Sequence, residues 1–234
     1  MIKIIRISRN NFISKILKTI LFLLVTISVY SQPTIKQYIG VNIANFSALS
    51  LDVDYEYEIK PYLDFHSTIG YSYNHTKSWD INFFLVPHIK CGNCGIKTIN
   101  QTGGFLKTGV KINTRKDFIK SNFFFLGINL INSVVYEKAD FSDYYDIPPS
   151  DIILNPIQEQ TKYVFGIGTQ YGYSFKVFKK LQADVGLQIA FPLVNYKYLY
   201  GYENYIPGIG YKGSYSNWFP VIIFNLKYMI KKEK

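Results

Sequence analysis

From Leu49 to Lys60 the chain alternates without a slip. Leu49, Leu51, Val53, Tyr55, Tyr57 and Ile59 fall on one side, and Ser50, Asp52, Asp54, Glu56 and Glu58 on the other. A period of two is that of an extended strand, whose successive side chains point to opposite faces. The same rhythm predicts strands at 36–45, 62–75, 104–115, 119–136, 161–177, 181–191 and 218–230. In the fifth, Phe124, Leu126, Ile128 and Leu130 oppose Gly127, Asn129 and Ser133; in the seventh, Val185, Leu187 and Ile189 oppose Asp184, Gly186 and Gln188. At Pro192 the phase flips, which predicts a bulge.

The connections alternate as strictly as the strands. Those at 60–61, 115–118 and 178–180 are tight, and those at 76–102, 137–160 and 194–217 are long. A four-residue turn at 45–48 is the one short member of the second set. A weak alternation of Ile81, Phe83 and Leu85 leaves room for a hairpin at 81–90. Amphipathic strands suit either a soluble sandwich, with its apolar face inward, or a membrane barrel, with its apolar face toward lipid. Short turns at one end and long loops at the other, on an even number of strands, select the second. The expected fold is all-β, an antiparallel up-and-down transmembrane β-barrel of eight strands, most of them reaching the roughly 9–11 residues that cross a bilayer when tilted.

The first 31 residues are of another kind. Lys3, Arg6, Arg9, Lys15 and Lys18 precede an apolar run from Ile20 to Val29, and Val29-Tyr30-Ser31 follows. This is the plan of a secretory signal peptide, with cleavage expected after Ser31. Its apolar run is too short for a spanning helix, which needs about 20 residues. The expected division is a signal peptide at 1–31 and a barrel at 32–234, exported to the cell outer membrane. Removal of the segment lowers the 26 basic residues to 21, so that against 16 acidic ones the formal charge falls from +10 to +5. So modest an excess, with no basic stripe, argues against a nucleic-acid partner. The 21 tyrosines and 18 phenylalanines fit aromatic girdles at two bilayer interfaces.

With the strands come glycine and aromatic spacings such as Phe165-Gly166-Ile167-Gly168 and Tyr171-Gly172-Tyr173. In these patterns residues 36–230 resemble the small outer-membrane β-barrel domain proteins of Gram-negative bacteria. The resemblance implies a fold and a location, and no single activity. The closing Tyr228-Met229-Ile230, followed by four charged residues, departs from the terminal phenylalanine of many such proteins.

In an eight-stranded barrel the polar faces meet in an interior with room for side chains and little else. Asp52, Asp54, Glu56, Glu58, Asp64 and Asp184 are expected there against Lys107, Lys111, Arg115, Lys162, Lys176 and Lys227, six acids facing six bases and pairing across the lumen. An ion or proton path along the acidic strand is the less favoured use of the same residues. Cys91 and Cys94 read as a local disulfide in a loop of an oxidising compartment; a redox pair lacks a helix start, and a zinc site finds only His88 nearby. His66 and His75 lie at opposite ends of one strand, and no nucleophile elbow, His-Glu-x-x-His motif or phosphate loop occurs, so no catalytic residue, cofactor or metal site is assigned. Tyr196, Tyr198, Tyr200, Tyr202, Tyr205, Tyr211 and Tyr215 crowd the last long loop, where tyrosine serves either a recognition surface or the outer girdle. The expected function is that of a non-catalytic outer-membrane barrel, structural or engaged in surface recognition or secretion, in contact with membrane lipid and a surface or secretion-machinery protein. The alternatives are a lipid-modifying or proteolytic barrel enzyme and a soluble periplasmic β-sandwich or lipocalin-like binder.

Overall fold

The computed structural model describes residues 36–74, 97–115, 122–142, 155–196, 199–200, 205–211 and 218–232. The expected signal segment, the hairpin at 81–90 and both cysteines lie outside these residues. The strands are β1 (Lys36–Asn42), β2 (Ser50–Lys60), β3 (Leu63–Ser72), β4 (Lys97–Asn113), β5 (Phe123–Asp140), β6 (Ile157–Lys176), β7 (Leu181–Val194), β8 (Tyr205–Ile206), β9 (Gly210–Tyr211) and β10 (Phe219–Lys232). Eight of them close into one antiparallel barrel in the order β1-β10-β7-β6-β5-β4-β3-β2, while β8 and β9 form a small hairpin of their own. A single closed barrel is not a sandwich.

Closure falls to the shortest strand of the barrel. β1 has seven residues and must pair with both β2 and β10. Where it ends, the Asn42 side chain prolongs the seam: its Oδ1 accepts from the Phe224 backbone N–H at 3.0 Å and from that of Ala44 at 3.1 Å. The second of these bonds caps a 3-10 helix, Ile43–Ala48, which stands where a simple turn was expected and ends at Leu49 in the left-handed region with φ 50°.

β4 and β6 are longer than their patterns predicted, and β5 runs four residues further into the expected loop. The ends of the expected loops, 97–102, 137–140 and 157–160, are paired strand. Their hydrogen-bond ladder continues where the hydrophobic signal stops, because residues such as Thr98, Asn100, Glu137, Lys138, Gln158 and Glu159 are polar on both faces. The predicted bulge is present: Phe165 pairs with Val194 and Gly166 with Pro192, leaving Leu193 as the extra residue.

Burial alternates with the pleat. Outward residues are apolar and open, with Phe124 64%, Leu126 57% and Ile128 55% exposed, while the residues between them are buried in the lumen. The inward face carries small residues where a neighbour is long. A Cβ added at Gly40 would lie 2.8 Å from Cγ of Lys227, whose stem crosses that position. Gly40→Val is therefore expected to displace Lys227 and destabilise the β1–β10 seam by about 1–3 kcal/mol, read as a lower urea midpoint for the refolded protein; an unchanged midpoint would contradict the packing.

Candidate functional site

The lumen is filled in three layers. Nearest the tight turns, Glu56 and Asp184 face Lys111 and Lys227 in a square. Lys111 Nζ lies 2.5 Å from Glu56 Oε2 and 3.4 Å from Asp184 Oδ2; Lys227 Nζ lies 2.9 Å from Glu56 Oε1 and 2.8 Å from Asp184 Oδ2. All four are buried, and the other Asp184 oxygen accepts from Ser174 Oγ at 2.6 Å. Beside the square, Arg115 spans Glu58 at 2.5 Å and Asp64 at 2.9 Å, with Lys36 3.6 Å from Glu58 at the rim. The strand pairing explains the meeting: Glu58 stands opposite Asp64, Asp64 opposite Lys111, and Gly40 opposite both Lys227 and Asp54.

Each of the four buried lumen cations also has an aromatic face. Lys111 lies 5.2 Å from the Phe125 ring centre, Arg115 4.1 Å from Phe123, Lys227 5.5 Å from Tyr38, and Lys107 5.2 Å from Phe105. Ring quadrupoles stabilise desolvated cations by an amount of order 2 kcal/mol. These aromatics were not among the residues expected inside. Phe123-Phe124-Phe125 is apolar at consecutive positions, so hydrophobicity conceals its period, yet Phe123 and Phe125 stand an even number of residues from Gly127 and Asn129 and share their face.

The middle layer is polar and less densely charged. Asp52 accepts from the Asn42 backbone N–H at 2.8 Å and from Asn45 Nδ2 at 2.6 Å; Asp54 accepts from Thr68 Oγ1 at 2.6 Å. Lys107 Nζ donates to Gln188 Oε1 at 3.0 Å. His66 contacts Asn129 and, at 3.1 Å, Gln170. Among these side chains lies a cavity with about 20 Å³ of room for the centre of a water molecule, enough for about one.

The outer layer is a plug. The β8–β9 hairpin folds back into the barrel mouth, where Ile206 and Ile209 are fully buried among Ile131, Val135, Val164, Ala190, Leu199 and Phe219. Gly208 turns with φ 76° against the Phe105 ring, and its carbonyl accepts from Gln188 Nε2 at 3.1 Å. Glu137 holds the preceding segment by accepting from the Tyr200 backbone N–H at 2.8 Å, Gln101 Nε2 at 2.9 Å and Gln160 Nε2 at 3.0 Å. Of the expected recognition tyrosines, Tyr205 is buried in the plug, Tyr196 packs against its apolar cluster and Tyr200 is half-buried beside Glu137. Tyr198, Tyr202, Tyr215 and the side chain of Tyr211 lie outside the described residues.

The lumen thus gathers Asp52, Asp54, Glu56, Glu58, Asp64, Asp184, Lys107, Lys111, Arg115 and Lys227, but not the other two expected lysines. Lys176 is exposed at the turn end of β6. Lys162 sits at its outer end opposite Val135, eight residues along β5 from Gly127, the partner of Lys111. Both share the inward parity of β6, but Lys176 stands at the turn rim, and Lys162 is half-buried at the mouth, with the plug cluster between it and the square. His75 and His88 are outside the described residues, and among the described residues no group of His, Cys, Asp or Glu is placed to hold a metal ion.

No protein-family model and no curated protein matches this sequence. Among solved structures it is similar to Neisserial surface protein A (NspA), at 12% identity and a TM-score of 0.41, covering 83% of this chain and 94% of that one.

Two substitutions test the layers separately. Glu56→Gln leaves Lys111 and Lys227 to share Asp184 alone, and breaking a buried pair of this kind costs about 3–5 kcal/mol. Lys176→Gln is expected to stay within about 0.5 kcal/mol. Urea titration of the refolded protein compares them, and equal effects would contradict the assignment of the network. In the plug, Gly208→Val would drive a branched side chain into Phe105 at a positive φ. The hairpin should then leave the mouth and become open to proteolysis between 205 and 211 while the barrel remains resistant.

Proposed function

We propose that the protein is an integral outer-membrane β-barrel without catalytic activity, closed to ion flow. The observation that carries this reading is its inverted polarity. Along the middle of the eight barrel strands the outward residues are mostly apolar, and the buried interior holds eleven acidic and basic side chains in contact with one another or with amides and hydroxyls. In water such a surface would expose an apolar area far larger than a soluble monomer shows. In a bilayer the same surface is solvated by lipid, and closure leaves no barrel strand with an unpaired edge. A lipocalin-like carrier has the reverse arrangement, an apolar cavity behind a polar wall.

Aromatic residues stand at both ends of this surface. Tyr62 and Tyr228 lie toward the tight turns and Tyr71, Tyr73, Tyr163 and Trp218 toward the outer end, with Leu106, Val110, Ile128 and Leu130 between. This is the order of an apolar band between two interfacial girdles. The filled lumen and plugged mouth support a barrel that does not conduct. The outer connections, taken as a set, are the surface we assign to a surface or secretion-machinery partner.

Alkaline carbonate extraction should leave the mature protein in the membrane fraction, and a soluble, detergent-independent protein would overturn the reading. Planar-bilayer recording should show no large stable steps. Leu126→Arg, on the lipid face, should cost about 2–4 kcal/mol if placed near the bilayer midplane, measured by denaturant titration in lipid vesicles; a cost near zero would place that face in water.

A further inference from the structure

Among the described residues the outer end of the barrel carries charges of both signs, Lys97, Lys138 and Lys162 with Asp140 and Glu159, whereas the exposed charge at the other end is basic. At the rim of tight turns Lys60, Lys176, Lys179 and Lys180 are exposed and Lys36 is half-buried, and β10 brings Lys231 and Lys232 to the same rim. The carboxylates described at this end, Glu56, Glu58, Asp64 and Asp184, are all buried in the lumen; Lys36 pairs with Glu58, and no exposed acid among the described residues of this rim accompanies Lys60, Lys176, Lys179 and Lys180.

Two features place this charge at an apolar boundary. The Lys60 amine lies 5.8 Å from the centre of the Tyr62 ring, and the Lys180 amine 5.9 Å from that of Tyr228. Both rings are open at the barrel wall. The turn between β6 and β7 reads Lys176-Val177-Phe178-Lys179-Lys180, and Phe178, 71% exposed, is held at its tip by backbone bonds between Phe178 and Leu181. An open aromatic side chain among three lysines suits the boundary between acyl chains and headgroups: the ring enters the apolar layer and the amines stay at the level of the phosphates.

We propose that this rim binds anionic phospholipid headgroups of the leaflet in which the tight turns lie. The inference rests on the membrane reading above and adds a lipid preference to it. A soluble acidic protein would match the charge but would leave Phe178 and the lysine-bearing tyrosines without a matching surface. Lipid satisfies both.

The test is native mass spectrometry of the refolded full chain, released from detergent micelles holding equal amounts of phosphatidylglycerol and phosphatidylcholine with the same acyl chains. The wild type is expected to retain phosphatidylglycerol at least about tenfold in preference, since each lysine near an anionic surface contributes about fivefold. K176Q/K179Q/K180Q, whose folding is checked by the heat-dependent gel shift, should lose most of that preference. For the wild type, raising the ionic strength to about 1 M, where screening acts within about 3 Å, should do the same without any substitution. Equal retention of the two lipids, or a preference that survives both the substitutions and the salt, would overturn the proposal, as would displacement of the lipid by polyglutamate with no headgroup preference. A chain that takes up no lipid and stays soluble without detergent would instead overturn the membrane reading itself, so the two failures are distinguishable.

Discussion

Two carboxylates and two ammonium groups meet in the square of Glu56, Asp184, Lys111 and Lys227, and the rest of the interior is arranged around keeping them neutral together. Each charge, taken out of water alone, would cost several kcal/mol, and mutual attraction offsets that only when the geometry is close and the remaining lone pairs are bonded. The four residues come from β2, β7, β4 and β10, so the square forms only when the barrel is closed. Strand closure and charge neutralisation are therefore one event: a register slip in any of the four strands would turn an ion toward the apolar exterior.

Along the barrel axis the interior passes from ionic to amide-rich to apolar. The turn end holds the square and the Arg115 group, the middle holds Asp52, Asp54, Lys107, His66 and their amide partners, and the mouth holds Ile206 and Ile209 among aliphatic side chains. Aromatic rings thread through the first two layers, one beside each buried cation. Long side chains fit because glycines face them. The result is a barrel whose interior is a packed core of mixed polarity, capped by its own loop and bordered outside by lipid-compatible residues, with a rim of exposed lysines at the opposite end from the cap.

Local alternation was sufficient to read eight strands, their outward faces, the bulge after Pro192 and the inward direction of the acidic strand, because a period of two is a property of each strand by itself. It also brought Lys162 and Lys176 into the charge network on parity alone, whereas Lys162 stands half-buried at the mouth and Lys176 exposed at the turn rim. Parity says which way a side chain leaves the strand and not how far along the axis it stands. Phe123 and Phe125 went unnoticed for the opposite reason: in an unbroken apolar run the faces differ in surroundings while the residues look alike.

The sequence by itself determined the architecture and the sign of each face, since both follow from side-chain order within single segments. The tertiary structure alone decided which acid meets which base, that each buried cation rests on a ring, and that part of the last loop turns inward. Those outcomes depend on contacts between residues such as Glu56 and Lys227, or Gln188 and Gly208, far apart in the chain and brought together only by the register of a closed sheet. No local pattern records that register. In Ile206-Pro207-Gly208-Ile209 the apolar residues carry no period long enough to read, so their burial becomes visible only when the mouth they fill is present.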